Sequence, residues 1–280
     1  MEKIILITGG NSGIGYETAK VLSQIPGNKV YILCRSEERG QLAALELGHG
    51  VTFIKLDLAD LGEVKAFTQN LPLERVDILI NNAGVMDLPK LTLTPNGLES
   101  QVGINHFGHF ALTVGLLDKL KKSQDPRVIT VSSMVAYGKK FVYDNINSQI
   151  KYSPYGAYRT SKLCNLLFAH ELGRQNRWLR SIPVHPGVAI TNIKQYMSMM
   201  EQSGLKAVQK IIGHSAADGA LPLIYAAITE EVSTGTYLGP KYMTKGPVEV
   251  VAKPLESRKI SHGKQLWALS QGILDSIETN

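Results

Sequence analysis

Residues 4–7, Ile4-Ile5-Leu6-Ile7, form an unbroken apolar run that ends directly in Thr8-Gly9-Gly10-Asn11-Ser12-Gly13-Ile14-Gly15. A strand that is apolar at every position is buried on both faces, and such strands belong to parallel sheets covered on each side by helices. The segment after the glycines is amphipathic, with Ile14, Ala19, Val21 and Leu22 as its apolar positions. Strand, glycine turn and helix in that order is the setting of a dinucleotide-phosphate site. The glycines allow a tight turn and close approach, and the helix start offers unpaired amides and a partial positive charge. Gly9, Asn11, Ser12, Gly13, Ile14 and Gly15 are therefore candidate cofactor contacts. Their spacing is G-x-x-x-G-x-G, not the commoner G-x-G-x-x-G, and an ordinary glycine-rich turn is the plain alternative.

Strand and helix patterns then alternate with few breaks. Residues 29–34, 51–56, 76–80, 128–131 and 181–184 read as strands, and 37–47, 61–71, 97–120 and 155–174 as helices. After an irregular stretch over 187–213 come a helix at 216–229, a short strand near 236–238 and a last helix around 264–277. Strict alternation predicts an α/β fold: one Rossmann-type, doubly wound parallel β-sheet with right-handed crossovers and helices on both faces. No repeat or linker divides the chain, so residues 1–280 are expected to form one domain. Its ligand site should lie beyond the carboxyl ends of the strands.

Composition narrows the partners. The net charge is +6 from 30 basic and 24 acidic residues, and the basic residues are scattered, which suits a small anionic ligand better than nucleic acid. Cys34 and Cys164 stand far apart and in no C-x-x-C, so free thiols in a reducing compartment are expected. The first strand begins within three residues of Met1 and no apolar run reaches membrane-spanning length, so a cytoplasmic protein without an anchor is expected.

Polar residues follow several strands. Cys34-Arg35-Ser36 succeeds the second, where an NAD-preferring enzyme usually carries a carboxylate for the adenosine ribose. Arg35 can instead meet a 2′-phosphate with its bidentate fork, which points to NADP(H), although an exposed Arg opening a helix is the plain alternative. Asp57 and Leu58 follow the third strand as candidate adenine contacts, with Asp57 alternatively a helix N-cap. After the fourth strand, Asn82, Ala83 and Gly84 form a compact turn against which a ribose can lie, and Asn82 can equally brace neighbouring strands.

Tyr158 and Lys162 are four residues apart on a predicted helix and so share a face. A free Tyr titrates near ~10. An ammonium roughly 4 Å away at an effective dielectric near 20 favours the phenolate by about 4 kcal/mol, or roughly three pK units, which would bring Tyr158 towards neutrality. General acid–base catalysis is most efficient there.

Taken together, Thr8-Gly9-x-x-x-Gly13-x-Gly15, Asn81-Asn82-Ala83-Gly84, Asn105, Ser133, Tyr158-x-x-x-Lys162 and Pro186-Gly187 resemble the short-chain dehydrogenase/reductase family over essentially the whole chain. Gly103-Ile104-Asn105-His106-Phe107-Gly108-His109-Phe110, Tyr158-Arg159-Thr160-Ser161-Lys162-Leu163-Cys164-Asn165 and Gln265-Leu266-Trp267-x-x-Ser270 resemble its retinol dehydrogenase-like and protochlorophyllide reductase-like branch. The resemblance implies that Tyr158 is the proton donor and that Lys162 lowers its pKa and binds the nicotinamide ribose. It implies that Ser133 bonds the substrate carbonyl, with Ser132 the competing choice, and that Asn105 holds a water leading from Lys162. Pro186, Gly187, Val188, Ile190 and Thr191 resemble the nicotinamide-side loop. His106 and His109, which flank Asn105, read as packing or surface residues and not as metal ligands, and no metal is expected.

The aromatic-containing stretch from Met134 to Pro154 is either a wall of the substrate pocket or a surface loop blocking a helix-pair dimer interface, which leaves a homodimer open. Met197, Met199 and Met200 lie in the 187–213 segment, either as a substrate lid or on the packed face of a helix. The expected function is NADPH-dependent hydride transfer between nicotinamide and a carbonyl or alcohol of a bulky, hydrophobic small substrate. A protochlorophyllide-type C=C reductase and a non-catalytic NADP(H)-sensing protein are the alternatives.

Overall fold

The computed structural model describes residues 2–48, 50–148, 150–188 and 214–278. The first half alternates as expected: β1 (Ile4–Thr8), α1 (Gly13–Ser23), β2 (Lys29–Cys34), α2 (Glu37–Leu47), β3 (Val51–Lys55), α3 (Leu61–Asn70) and β4 (Ile78–Asn81). Next come α4 (residues 100–115), α5 (Leu117–Lys121), β5 (Arg127–Val131), α6 (Pro154–Gln175) and β6 (Arg180–Val184). The chain continues through α7 (Ala216–Ile228), β7 (Leu238–Pro240), β8 (Val248–Val250) and α8 (Ile260–Glu278). The eight strands form one sheet in the order β3-β2-β1-β4-β5-β6-β7-β8. Ile5 of β1 pairs with Val30 on one side and Ile78 on the other, so the strand order reverses at β1. A crevice opens beyond the strand ends at such a reversal.

Two features depart from the sequence expectation. β8 pairs antiparallel to β7, so the sheet is parallel except at this edge. Its Val-Glu-Val, exposed at Glu249 and Val250, lacks the all-apolar pattern that marks a buried parallel strand. The long helix over 97–120 is not one α-helix. It starts at Ser100, widens into a π-helical segment over Gly103–Gly108, resumes as α-helix over His109–Gly115, and breaks at Leu116 before α5. Glycines at both ends of the π segment explain its placement. A Cβ on Gly108 would lie 2.3 Å from the Leu58 carbonyl, and one on Gly103 would lie 2.6 Å from Thr94. Only a bare backbone fits so closely.

The apolar positions of the strands alternate between two cores. Ile5, Ile7, Val30 and Ile32 pack towards α1 and α7, while Leu6, Leu33, Leu79 and Val128 pack towards α3, α4, α6 and α8. α8 lies along α6 and completes this second core through Leu266 and Trp267. Trp267 contacts the rings of Phe110 and Phe168. His106, buried on the π segment, bonds Ser270 of α8 at 3.0 Å. The packing expected of His106 is therefore what it does. α8, more than the stretch from Met134 to Pro154, is what covers α6.

At the opposite end from the crevice, the fully buried Arg127 pairs with Asp125 and donates to the carbonyls of Ala226, Ala227 and Thr229 at the end of α7. The cation suits a helix C-terminus, where carbonyls lack partners and the dipole is negative. Arg127→Met keeps most of the volume but strips these carbonyls of a donor. It is expected to cost about 2–4 kcal/mol, measured by urea unfolding. A loss below about 0.5 kcal/mol would show that the carbonyls find other partners.

Candidate active site

The crevice is a cavity of about 810 Å³ at the strand ends. Its lining takes in the glycine turn, the loops after β2, β3, β4 and β5, one face of α6, and the loop after β6. Of the residues singled out from sequence, Gly9, Asn11, Ser12, Gly13, Ile14, Gly15, Arg35, Ser36, Asp57, Leu58, Asn82, Ala83, Gly84, Ser133, Tyr158, Lys162, Pro186, Gly187 and Val188 all border it. Ile190, Thr191 and the methionines of the expected lid lie outside the described residues.

The floor of the nucleotide half is built by close approach. A Cβ on Gly15 would stand 2.3 Å from the Gly9 carbonyl and 2.5 Å from the Asn82 amide nitrogen, and Gly9 itself has φ +66°. α1 begins there with no acidic residue in its first turn, and Ser12 places no side chain on the helix amides. An anion can therefore meet the free amides of an eleven-residue helix. Asn82 donates to the Thr8 carbonyl at 2.8 Å, while the amides of Asn82 and Ala83 both donate to Thr8 Oγ1 at 2.9 Å. Asn82 thus lines the cavity and also braces β1 against β4.

At the rim, Arg35 and Arg39 both border the cavity, on either side of Ser36. Arg39 was missed in the sequence because it falls in the first turn of α2, where an Arg reads as solvated surface. Ser36 caps α2 by accepting from the Arg39 amide. Asp57 is not the N-cap of α3, a position held by Asp60, which accepts from Gly62 and Glu63. Asp57 accepts from the Ala59 amide instead.

The four residues of the expected catalytic group converge from three elements. Ser133 follows β5, and its hydroxyl borders the same cavity as the Tyr158 phenol. Ser132, the competing choice, donates to the Lys162 carbonyl at 2.7 Å and so faces away into α6. Lys162 Nζ bonds the Val131 carbonyl at 3.1 Å and stands 5.8 Å from the centre of the Tyr158 ring. A Cβ on Gly84 would lie 3.1 Å from Asn105 Oδ1 and 3.5 Å from Lys162 Nζ, so both polar ends meet at that glycine. The Asn105 amide hydrogens are directed at the Val85 carbonyl and at Ser161 Oγ, both at 2.9 Å, and its Oδ1 accepts from the Val85 amide. That side chain therefore fixes the β4 loop to α6, with both of its amide hydrogens committed within the protein.

The electrostatics also correct the sequence expectation. Burial pushes the Tyr158 phenol up to about 12, and the Ser133 hydroxyl beside it only partly opposes this. Lys162 does not bring the phenol towards neutrality, because its ammonium is directed at the Val131 carbonyl and is itself pulled down to about 8 by burial. Desolvation outweighs the Coulomb attraction that spacing alone suggested. At the loop after β6, the Val188 amide donates to the Thr244 carbonyl and its carbonyl accepts from the His214 amide.

On the substrate side, Val85, Met86, Asp87, Ile104, Met134, Val135 and Tyr155 complete the lining. The stretch after Ser133 thus begins as a pocket wall. Farther along it packs elsewhere: Tyr137 bonds the Ala252 carbonyl, and Tyr152 bonds the Leu88 carbonyl.

Comparison with known proteins agrees with this geometry. The profile of the family described as short chain dehydrogenase matches residues 3–202. Retinol dehydrogenase 11 of Mus musculus is 36% identical over 268 residues, covering 90% of this chain and 84% of that protein. Polyprenol dehydrogenase of Homo sapiens is 33% identical over 294 residues, covering 98% and 86%. The crystal structure of an uncharacterized protein from Mycobacterium paratuberculosis superposes with a TM-score of 0.82 at 34% identity, over 98% of this chain and 93% of the other.

Gly15→Ala is expected to weaken nicotinamide-dinucleotide binding by about tenfold or more, because a clash in a packed turn costs about 1–3 kcal/mol. Calorimetric titration would measure it. Unchanged affinity would mean that the turn does not form the phosphate floor.

Proposed function

As a member of the short chain dehydrogenase family, in its retinol dehydrogenase-like branch, this protein is an oxidoreductase, and we propose that it transfers hydride between NADP(H) and a carbonyl or alcohol of a bulky apolar substrate. The observation that carries the reading is the opening of Tyr158, Ser133 and Lys162 onto the same cavity as the glycine turn.

The residues present fit the cofactor. The glycine turn and the free amides of α1 would receive the pyrophosphate, Asp57 and Leu58 the adenine, and Asn82, Ala83 and Gly84 a ribose. Arg35 and Arg39, the two guanidinium groups at the rim, would take a 2′-phosphate. When bound, NADPH supplies the hydride. The chain's own part is proton and charge management. Tyr158, with its phenol at about 12, holds its proton at pH 7 and is ready to give it to a substrate oxygen. Ser133 keeps its hydroxyl hydrogen available while its oxygen accepts from the Val135 amide, so it stabilises negative charge growing on that oxygen. Lys162 remains an ammonium at pH 7 and supports the phenolate left behind. The apolar wall of Val85, Met86, Ile104, Met134 and Val135 supports a hydrophobic substrate. So do the names of the retinol and polyprenol dehydrogenases.

Tyr158→Phe is expected to lower turnover by at least about 100-fold, the scale of one general acid, with NADPH affinity nearly unchanged. Wild-type carbonyl reduction should hold through neutral pH and decline on the alkaline side as Lys162 and then Tyr158 lose protons, while alcohol oxidation rises there. Stopped absorbance assays across pH would read both. If Tyr158→Phe kept more than a tenth of the activity, Tyr158 would not be the acid, and NADPH binding without any turnover would favour a sensing protein.

Cofactor preference is a separate test. NADPH should be favoured over NADH by about tenfold or more, since a charge-assisted contact is worth roughly 1.5–3 kcal/mol. Arg35→Asp should reverse the ratio of kcat/KM values. An unchanged ratio would move phosphate recognition from Arg35 to Arg39.

A further inference from the structure

His109 is fully enclosed behind the active site, in none of the roles assigned above. Its Nδ1 lies 2.9 Å from the Asn105 carbonyl, and its Nε2 lies 2.8 Å from Thr8 Oγ1. In an unbroken α-helix the His109 amide would bond the Asn105 carbonyl. Here that amide bonds the His106 carbonyl at the end of the π segment, and the ring of His109 meets the Asn105 carbonyl.

The partners determine the proton. A carbonyl oxygen only accepts, so Nδ1 must carry the hydrogen. Thr8 Oγ1 already accepts from the amides of Asn82 and Ala83, which occupies its two lone pairs. Its single hydrogen is then directed at Nε2, which is the closer acceptor at 2.8 Å against 3.3 Å for the Ile80 carbonyl. A hydrogen on Nε2 would face a hydroxyl with no lone pair left, so the same contacts exclude the imidazolium. Burial and the nearby Lys162 charge act in the same direction and hold the ring down at about 4.

We infer that His109 is a positioning residue, a neutral Nδ1-protonated imidazole that clamps the end of the nucleotide-binding strand, through Thr8, to the Asn105 carbonyl in the π segment. One end of the clamp holds Thr8, on which the Asn82-Ala83 turn hangs. The other holds the residue whose side chain fixes Val85 and, through Ser161, the Tyr158 carbonyl. His109 thus keeps the cofactor floor and the proton donor in one register. The inference rests on the oxidoreductase reading above for what the two halves do, and on the hydrogen bonds alone for the clamp.

Three variants separate the two ends. His109→Leu removes both contacts, His109→Gln places its amide near the Thr8 end, and His109→Asn near the Asn105 end. Loss of a buried bond at each end predicts that His109→Leu weakens NADPH binding about tenfold and lowers kcat about tenfold. His109→Gln should recover affinity more than kcat, and His109→Asn should recover kcat more than affinity. A merely structural side chain would lower thermal stability in all three without such a split. Parallel losses in all three would overturn the clamp, as would a folded His109→Leu within twofold of wild type in both constants. Nitrogen-15 imidazole spectra of the wild-type protein provide a test independent of folding and turnover. They should show Nδ1 protonated and Nε2 bare, without titration between about pH 5.5 and 8. An Nε2-protonated or titrating ring would reject the inference. If wild type binds NADPH but reduces no carbonyl compound, the functional reading fails alone, and the spectra with the Leu-against-Gln affinities still decide the clamp.

Discussion

The molecule depends on how the ends of β1 and β4 are tied together. Parallel neighbours diverge where their ladders stop, and the divergence here is the crevice itself. What limits it is a single threonine hydroxyl. Thr8 Oγ1 takes two amides from the β4 turn while Asn82 returns a bond to the Thr8 carbonyl. Gly15 can then pass within contact of Gly9, and α1 can point its free amides at the same place. Every other part of the site is arranged around that knot, with Asn105 and His109 behind it and Tyr158, Ser133 and Lys162 across from it.

Much of this was legible in the sequence, because the legible parts are periodic or sterically unique. The apolar run of β1, the glycine turn and the strand–helix alternation each leave a pattern that only one architecture satisfies. The side chains around the cavity were legible by position, since loops after parallel strands all face one end. The π segment was not. A widened turn costs one register step inside a helix, and Gly103 and Gly108 signal it only through neighbours, Thr94 and Leu58, that are remote in sequence. Arg39 and His109 escaped for the same reason: each reads as an ordinary helix residue until the fold supplies its partners. The Tyr158 phenol illustrates a different limit. Spacing reveals the neighbouring charge but not the burial, and here burial outweighs the charge.

Burial also organises the chemistry. Tyr158 is held as an acid and Lys162 as a weakened cation by the same low-dielectric surroundings, so charge brought in by a bound anion has large effects on both. His106 and His109, enclosed and held at about 3 and 4, carry no charge near neutrality and leave the field at the site to Lys162, the rim arginines, Asp57 and Asp87. Hydrogen-bond geometry, not ionisation, is what these histidines contribute.

The position of α8 has a consequence for how the protein is made. Its Trp267 and Leu266 seal a core whose other walls, Phe110 and Phe168, come from far earlier in the chain. As the polypeptide leaves the ribosome, the sheet from β3 to β6 can assemble while that aromatic surface still lacks its cover. During this interval the nascent chain presents a sticky face of the kind that recruits chaperones or nucleates aggregation. Because His106 bonds Ser270 from within the π segment, arrival of α8 also braces the helix that carries Asn105. Completion of the active site thereby waits for α8.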